Sequence, residues 1–288
     1  MAETRGFACP ECGARSRIEA TRAIMADLRA GGEQIGGPQT LAPADRSRFL
    51  PLVRSRYEGV ECMNYSPLIY AFGQEDVAVT GAGTLDGGAS AETWWALSKK
   101  GKLTTKDTGL LGAPDLIRMG DEGTPVEQRV FGDKGSLRPN FLVFYRCRNV
   151  LVEGVRIVNS PMWEIHPVFC ANVTVRGVTI SSHGPNNDGC DPDSSQHVLI
   201  QDCVFDTGDD CIAIKSGKDG DGRRLATPSE DIVIRGCQMK DGHGGVVIGS
   251  ENAGGVRRVY AERCVMDSPN LDRALRIKSN ALRGGFVE

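Results

Sequence analysis

HVLIQDCVFDTGD (residues 197–209) is one copy of a pattern that runs through most of the chain. Related copies are NVLVEGVRIVNSP from Asn149, NVTVRGVTISSHG from Asn172, DIVIRGCQMKDGHG from Asp231 and RVYAERCVMDSPN from Arg258, with an earlier DVAVTGAGTLDGG from Asp76. From Asn149 onward the copies start 23, 25, 34 and 27 residues apart. Each alternates apolar and polar side chains and is rich in β-branched residues, the signature of a half-buried strand. Gly, Asn, Asp, Ser and Pro, the turn formers, fill the gaps. No helix-length amphipathic segment separates the copies, which excludes βαβ units, and the Leu/Asn ladder of leucine-rich repeats is missing. The pattern predicts an all-β, single-stranded solenoid, a right-handed parallel β-helix with one coil per repeat.

Working outward, the longer spacings mark excursions from the coil. Residues 218–229 (KDGDGRRLATPS) read as a loop, and residues 86–140, with Trp94-Trp95 and a charged stretch around Arg118–Arg138, are the longest interruption. The latter is expected either beside the cleft or as a cover for the solenoid side, its Trp pair packing on the coil or stacking on a sugar ring. Cys203, Cys237 and Cys264 occupy one repeat position, so they are expected to stack as free, inward-facing thiols rather than to pair as disulfides. Cys9-Pro10-Glu11-Cys12 is half of a zinc knuckle without a second half. Ile18, Met25 and Leu28 share one face of a candidate capping helix over 18–30, closed by Gly31-Gly32. Residues 1–40 otherwise carry little pattern, which leaves 41–288 as the solenoid domain.

Composition bounds the function. The 288 residues suffice for one large domain, and 34 Lys+Arg against 37 Asp+Glu give no basic field for nucleic acid. No run approaches the roughly 18 apolar residues of a membrane span. The opening MAETRGFACPECGARSRIEA offers no secretory signal, so the sequence as written reads as cytoplasmic; a secreted or periplasmic protein would need a different start.

The chemistry gathers in PNNDGCDPDSS (185–195) and DTGDDCIAIKSG (206–217). Asp188, Asp209 and His243 follow similar strands of successive coils, at offsets of 16 from Asn172, 12 from His197 and 12 from Asp231. Parallel strands stack about 4.8 Å apart, so these residues are expected to meet on one face, with Asp210 beside them. Close carboxylates cannot all ionise comfortably. One protonated and others ionised is the arrangement that glycosidic hydrolysis uses. Asp191 and Asp193 are expected to close the turn. Lys215 is expected to face the cleft, with Arg223 and Arg224 as weaker contacts for a polyanion. Arg276 and Lys278, two apart on a strand, point to one side and present a pair of cations suited to a carboxylate.

Four motifs in order, Asn186-Asn187-Asp188-Gly189, Gly208-Asp209-Asp210, Gly242-His243-Gly244 and Arg276-Ile277-Lys278, resemble glycoside hydrolase family 28, the polygalacturonases and their relatives, over most of residues 41–288. Asn187 departs from the family's commoner Thr. The resemblance implies a pectin lyase-like β-helix that cleaves α-1,4-galacturonosyl linkages of pectin by an inverting single displacement. YEGVECMNYSPLIYAF, SPMWEIHPV and SPNLDRALRIKS point to the bacterial, exo-acting branch. By resemblance Asp209 is the general acid, Asp188 and Asp210 hold and deprotonate water, and His243 tunes the acid. Arg276, Lys278, Lys215 and Asn186 would bind substrate, and neither metal nor cofactor is required. The partner is a galacturonate-rich polysaccharide. The alternatives are a pectate lyase, with Asp188, Asp191, Asp209 and Asp210 around calcium, and a non-catalytic carbohydrate-binding module. Because Gly284–Glu288 stops in what reads as a strand, the domain is expected to be incomplete at its C-terminus, with low stability, self-association and weak activity.

Overall fold

The computed structural model describes residues 43–98 and 109–288. Three parallel sheets wrap one core. The first consists of Glu75–Thr80, Arg148–Glu153, Ala171–Arg176, Gln196–Gln201, Ser229–Arg235 and Val256–Glu262. The second consists of Thr84–Asp86, Arg156–Val158, Thr179–Ser182, Val204–Thr207, Gln238–Gly242 and Asn270–Leu271. The third begins with Ile69–Phe72, Leu142–Tyr145 and Ile165–Val168, passes through single bridges at Cys190 and Asp193, and continues in Ile212–Ile214, Val246–Ile248 and Leu275–Ile277. This is the right-handed parallel β-helix the repeat predicts.

The repeat positions become columns. Val150, Val173, Val198, Ile232 and Val259 stack along the first sheet, and Leu85, Ile157, Ile180, Phe205 and Met239 along the second. Each such buried aliphatic stabilises by about 1.5–3 kcal/mol. Cys203 and Cys237 are buried free thiols in the column that starts with Val155 and Val178, and Cys264, half-buried, ends it. The residues that open the six copies, Asp76, Asn149, Asn172, His197, Asp231 and Arg258, all have φ between +55 and +59°. Asn, Asp and His tolerate this left-handed conformation better than other side chains, which is why they recur there. Outside the coil they form a ladder: Asn172 Nδ2 donates to Asn149 Oδ1 at 3.0 Å, and Asn149 Nδ2 to Asp76 Oδ1 at 2.9 Å.

The coils begin only at Ile69, later than the 41–288 boundary read from sequence. Before them come a 3₁₀ turn (Pro43–Phe49) and an antiparallel hairpin, Val53–Tyr57 with Val60–Asn64. The described parts of the 86–140 interruption, residues 86–98 and 109–140, form a cover that contains helix α1 (Ala113–Glu122), while the expected loop 218–229 holds helix α2 (Asp219–Leu225). A short run favours helix here because Asp219 and Asp221 complement the dipole at its start and Arg223 and Arg224 at its end. Hairpin and cover close over the outer face of the third sheet through Tyr57, Val60, Cys62, Leu116, Phe131, Leu137, Met162 and Trp163. Trp94 is buried against Phe49 and Tyr65, and Trp95 donates its indole N–H to Ser160 O at 2.9 Å. The candidate helix 18–30 and the Cys9/Cys12 pair lie outside the described residues. No helix among the described residues is long and apolar enough to cross a membrane.

Candidate active site

Turns from the second sheet to the third carry the acidic motifs. Two adjacent positions recur in successive coils. Asp209 N donates to Asn187 O at 3.3 Å and His243 N to Asp209 O at 3.0 Å, so Asn187, Asp209 and His243 follow one another. Asp188, Asp210 and Gly244 form the next column, since Cys190 bridges Ile212, which pairs with Val246. The sequence offsets had paired Asp188 with Asp209 and His243; the register instead matches Asp188 with Asp210. The result is still convergence: one oxygen each of Asp188, Asp209 and Asp210 lie within 4.8 Å of one another.

The backbone is shaped for this. Gly242 has φ +145°, and a Cβ there would lie 2.6 Å from Asp209 O. Glycine therefore lets His243 approach the acid, where its Nδ1 lies 3.1 Å from Asp209 Oδ1. Asn187, fully buried, has its amide consumed by the turn: Oδ1 accepts from Ser182 Oγ and Gly184 N, both at 2.8 Å, and Nδ2 donates to Ser160 O and Met162 O. Asn fills the place of the commoner Thr as a turn former. Asn186 is half-buried and accepts a hydrogen bond from Arg138 Nη2 at 2.6 Å. Arg138 also donates to Pro161 O and Pro185 O; sequence reasoning missed it because its partners are backbone carbonyls from distant turns.

Electrostatics divides the carboxylates. Burial, reinforced by Asp209 and Asp191, pushes Asp188 well above the usual carboxylate range. Burial does the same to Asp191, helped by Asp210. Lys278 Nζ forms an ion pair with Asp210 Oδ2. Arg276 is half-buried and makes no ion pair among the described residues.

Four expectations change. Lys215 lies against the carboxylates but is sealed from solvent: its side chain is 3 % exposed and its Nζ lies 3.2 Å from Glu251 Oε2, 3.5 Å from Asp191 Oδ1 and 3.7 Å from Asp188 Oδ2. It touches the acidic group rather than a substrate. Asp191 caps nothing, since neither of its oxygens accepts a hydrogen bond. Asp193 does close its turn, accepting from Arg56 Nη1 at 2.8 Å and Gly217 N at 3.0 Å. Arg223 donates to Leu282 O and Arg283 O, while Arg224 pairs with Asp221 and α1, so both brace the fold. Nothing local marks Glu251, whose motif, SEN, has no chemical signature.

Asp188, Asp209 and Asp210 also have the spacing to hold a cation, as do His183, Asp206 and Asp241 on the outer surface beside them.

A sequence model described as glycosyl hydrolases family 28 matches residues 127–288, more than half the chain. A probable polygalacturonase of Vitis vinifera is 32% identical over 228 residues, covering 78% of this chain and 39% of that protein. The crystal structure of a hyperthermoactive exopolygalacturonase from Thermotoga maritima superposes with a TM-score of 0.81 at 46% identity, covering 94% of this chain and 66% of that one. A family 28 exopolygalacturonase of Yersinia enterocolitica shares the fold, with a TM-score of 0.60 at 20% identity over 82% of this chain and 44% of that one. The chain thus spans about two fifths of the Vitis relative and two thirds of the Thermotoga one. With the motif order, the coil and the matched model in agreement, the chain belongs to the glycosyl hydrolases of family 28.

Proposed function

We propose that the protein hydrolyses α-1,4-galacturonosyl linkages of pectin or its oligomers, releasing units from a chain end. The observation that carries this reading is the convergence of Asp188, Asp209 and Asp210 within 4.8 Å, with His243 on Asp209. Asp209, the most open of the three, protonates the leaving oxygen while His243 holds it in place. Asp188 and Asp210 hold water and take its proton. Arg276 and Lys278 receive the galacturonate carboxylate, Lys278 turning from Asp210 or bridging the two. Exo action is supported by the likeness to the Thermotoga exopolygalacturonase and by the hairpin and α1, which wall the face of the early coils.

The inverting course rests on the family likeness rather than on spacing, since inverting enzymes usually separate acid from base by about 6.5–9.5 Å. Digestion of defined oligogalacturonides with excess chelator tests the whole reading. Saturated monomer of inverted anomeric form, seen by proton NMR of fresh product, is expected. Unsaturated ends, or loss of activity on chelation, would instead make the three carboxylates the ligands of a lyase's cation.

A further inference from the structure

Lys215 stands where three buried carboxylates meet. Glu251, Asp191 and Asp188 lie 3.2, 3.5 and 3.7 Å from its Nζ, and the Trp163 ring centroid lies 4.3 Å away. Among the described residues, no other cation comes within ion-pair distance of Asp188 or Asp191. Asp188 Oδ1 and both oxygens of Asp191 accept no hydrogen bond. Lys215 is thus the one cation among the described residues within ion-pair reach of the Asp188 carboxylate. Other charges face this group from every side: Asp209 and Asp210 on the neighbouring turns, His166 and Asp193 on the third sheet, and Arg56 on the hairpin, committed to Asp193. Apart from Lys215, the groups acting on Asp188 itself are anions that favour its protonation.

We propose that Lys215 is a positioning residue for Asp188: its buried ammonium sets where that carboxylate points and opposes its protonation, with Glu251 competing for the same charge. The catalytic consequence rests on Asp188 activating water as proposed above. Substrate binding by Lys215 is disfavoured by its burial and its hydrogen bond to Glu251. Burial alone would suppress its charge, yet Glu251, Asp188, Asp191 and Asp210 together hold its ammonium well above the ordinary lysine range. Glu251 also accepts from Ser250 Oγ at 3.1 Å and has a second cation, Lys218, at 3.9 Å. It is thus anchored independently and draws part of the Lys215 charge away from Asp188. Neutralising Lys215 and neutralising Glu251 should consequently act on Asp188 in opposite directions, which a merely structural role would not produce.

The test follows the carbon NMR signal of the Asp188 side-chain carboxyl against pH in the full chain, alongside turnover of polygalacturonate. Lys215→Met should raise the midpoint by about one pH unit or more, the usual effect of losing an opposite charge at this distance. The acidic limb of turnover should move with it. Lys215→Arg should restore most of the parent midpoint, and Glu251→Gln should lower it. An unmoved midpoint in Lys215→Met, or shifts of the same sign in Lys215→Met and Glu251→Gln, would overturn the proposal. If Lys215→Met does not fold, Glu251→Gln decides: a lowered midpoint supports the proposal, and an unchanged or raised one overturns it. Asp188→Asn isolates the underlying reading, because full activity in that variant would remove Asp188 from the chemistry while leaving the NMR midpoints to judge Lys215.

Discussion

The cleft has an open side and a sealed side. On the open side the side chains of Asp209, His243 and Lys278 are 20, 45 and 22 % exposed. On the sealed side Arg56, Asp193 and His166 are fully buried, and Lys215, Asp188 and Asp191 nearly so. Open charges interact through water and are screened by salt. Sealed charges have only each other, and an unmatched one there is expensive. The comparison teaches that the same carboxyl chemistry can serve two ends: groups that exchange protons with the solvent lie outside, and a fixed charge pattern that biases them lies inside. Apart from Asp188 and its neighbour Lys215, which bear on the proposed chemistry from the sealed side, mutations on the two sides should therefore separate activity from stability.

The largest effect should come from the sealed side. Arg56→Met strands the Asp193 carboxylate next to His166 and should destabilise by about 3–5 kcal/mol. By calorimetry or circular dichroism this is a fall in Tm of about 10 °C. Turnover per folded molecule should change much less; a loss of turnover exceeding the loss of stability would erase the division. On the open side, Asp209→Asn keeps the shape and removes the proposed proton donor. Turnover should fall about 10²-fold or more, with Tm nearly unchanged.

A pH titration of stability sharpens the picture further. Burial works against the Glu251 carboxylate, but Lys215, Lys218 and Arg283 outweigh it and hold its pKa down at about 2. Asp193 is likewise lowered, burial being outweighed by Arg56 and His166. Both release protons more readily when folded, so their stabilisation is complete above about pH 5 and is lost as pH falls toward 2. Asp188, Asp191 and Glu164, raised by burial, run the other way: folding tightens their protons, so they favour the fold at low pH and lose that contribution as pH rises through their elevated values. Glu251→Gln should remove up to ~3 kcal/mol of the acid-side loss, read as a flatter denaturation midpoint between about pH 5 and 2. An unchanged acid slope would mean that Glu251 is not the depressed group. The smallest effect is expected at the hinge between the two sides. Gly242→Ala forces a left-handed φ and a clash with Asp209 O, at about 2 kcal/mol, and should lower turnover about tenfold by displacing His243. Equal activity in that variant would show that the His243 contact contributes little.

Periodicity made the coils legible. Asn149, Asn172, His197 and Asp231 mark the left-handed corners because few other side chains accept that backbone, and Val or Ile two positions apart must then face the core. The acidic motifs were legible for the same reason, since each sits at a fixed place after a strand. What lay off the repeat was not. Arg56, Arg138 and Glu251 act across 137, 48 and 36 residues of sequence on Asp193, Asn186 and Lys215, and nothing local in RSRYEG or SEN marks such a partner. Lys215 shows the limit most clearly. A lysine beside acidic motifs reads as a cation for the cleft, but Trp163, Glu251, Asp191 and Asp188 enclose it, and no local pattern places them there.

The stacking of Asn187, Asp209 and His243 in consecutive coils also bears on how the scaffold tolerates change in length. A solenoid can lengthen by whole coils, or sprout loops at its corners, without disturbing the turns elsewhere. Between Asn187 and Lys278 that freedom is gone: one extra coil would carry the acid about 4.8 Å from its neighbours and uncouple the group. Loop growth such as the 218–229 excursion is harmless there, because it leaves the coil count unchanged. Whole-coil insertions should therefore be rejected within this four-coil block and loop growth at its corners accepted, which makes it the indivisible unit for any recombination of the fold.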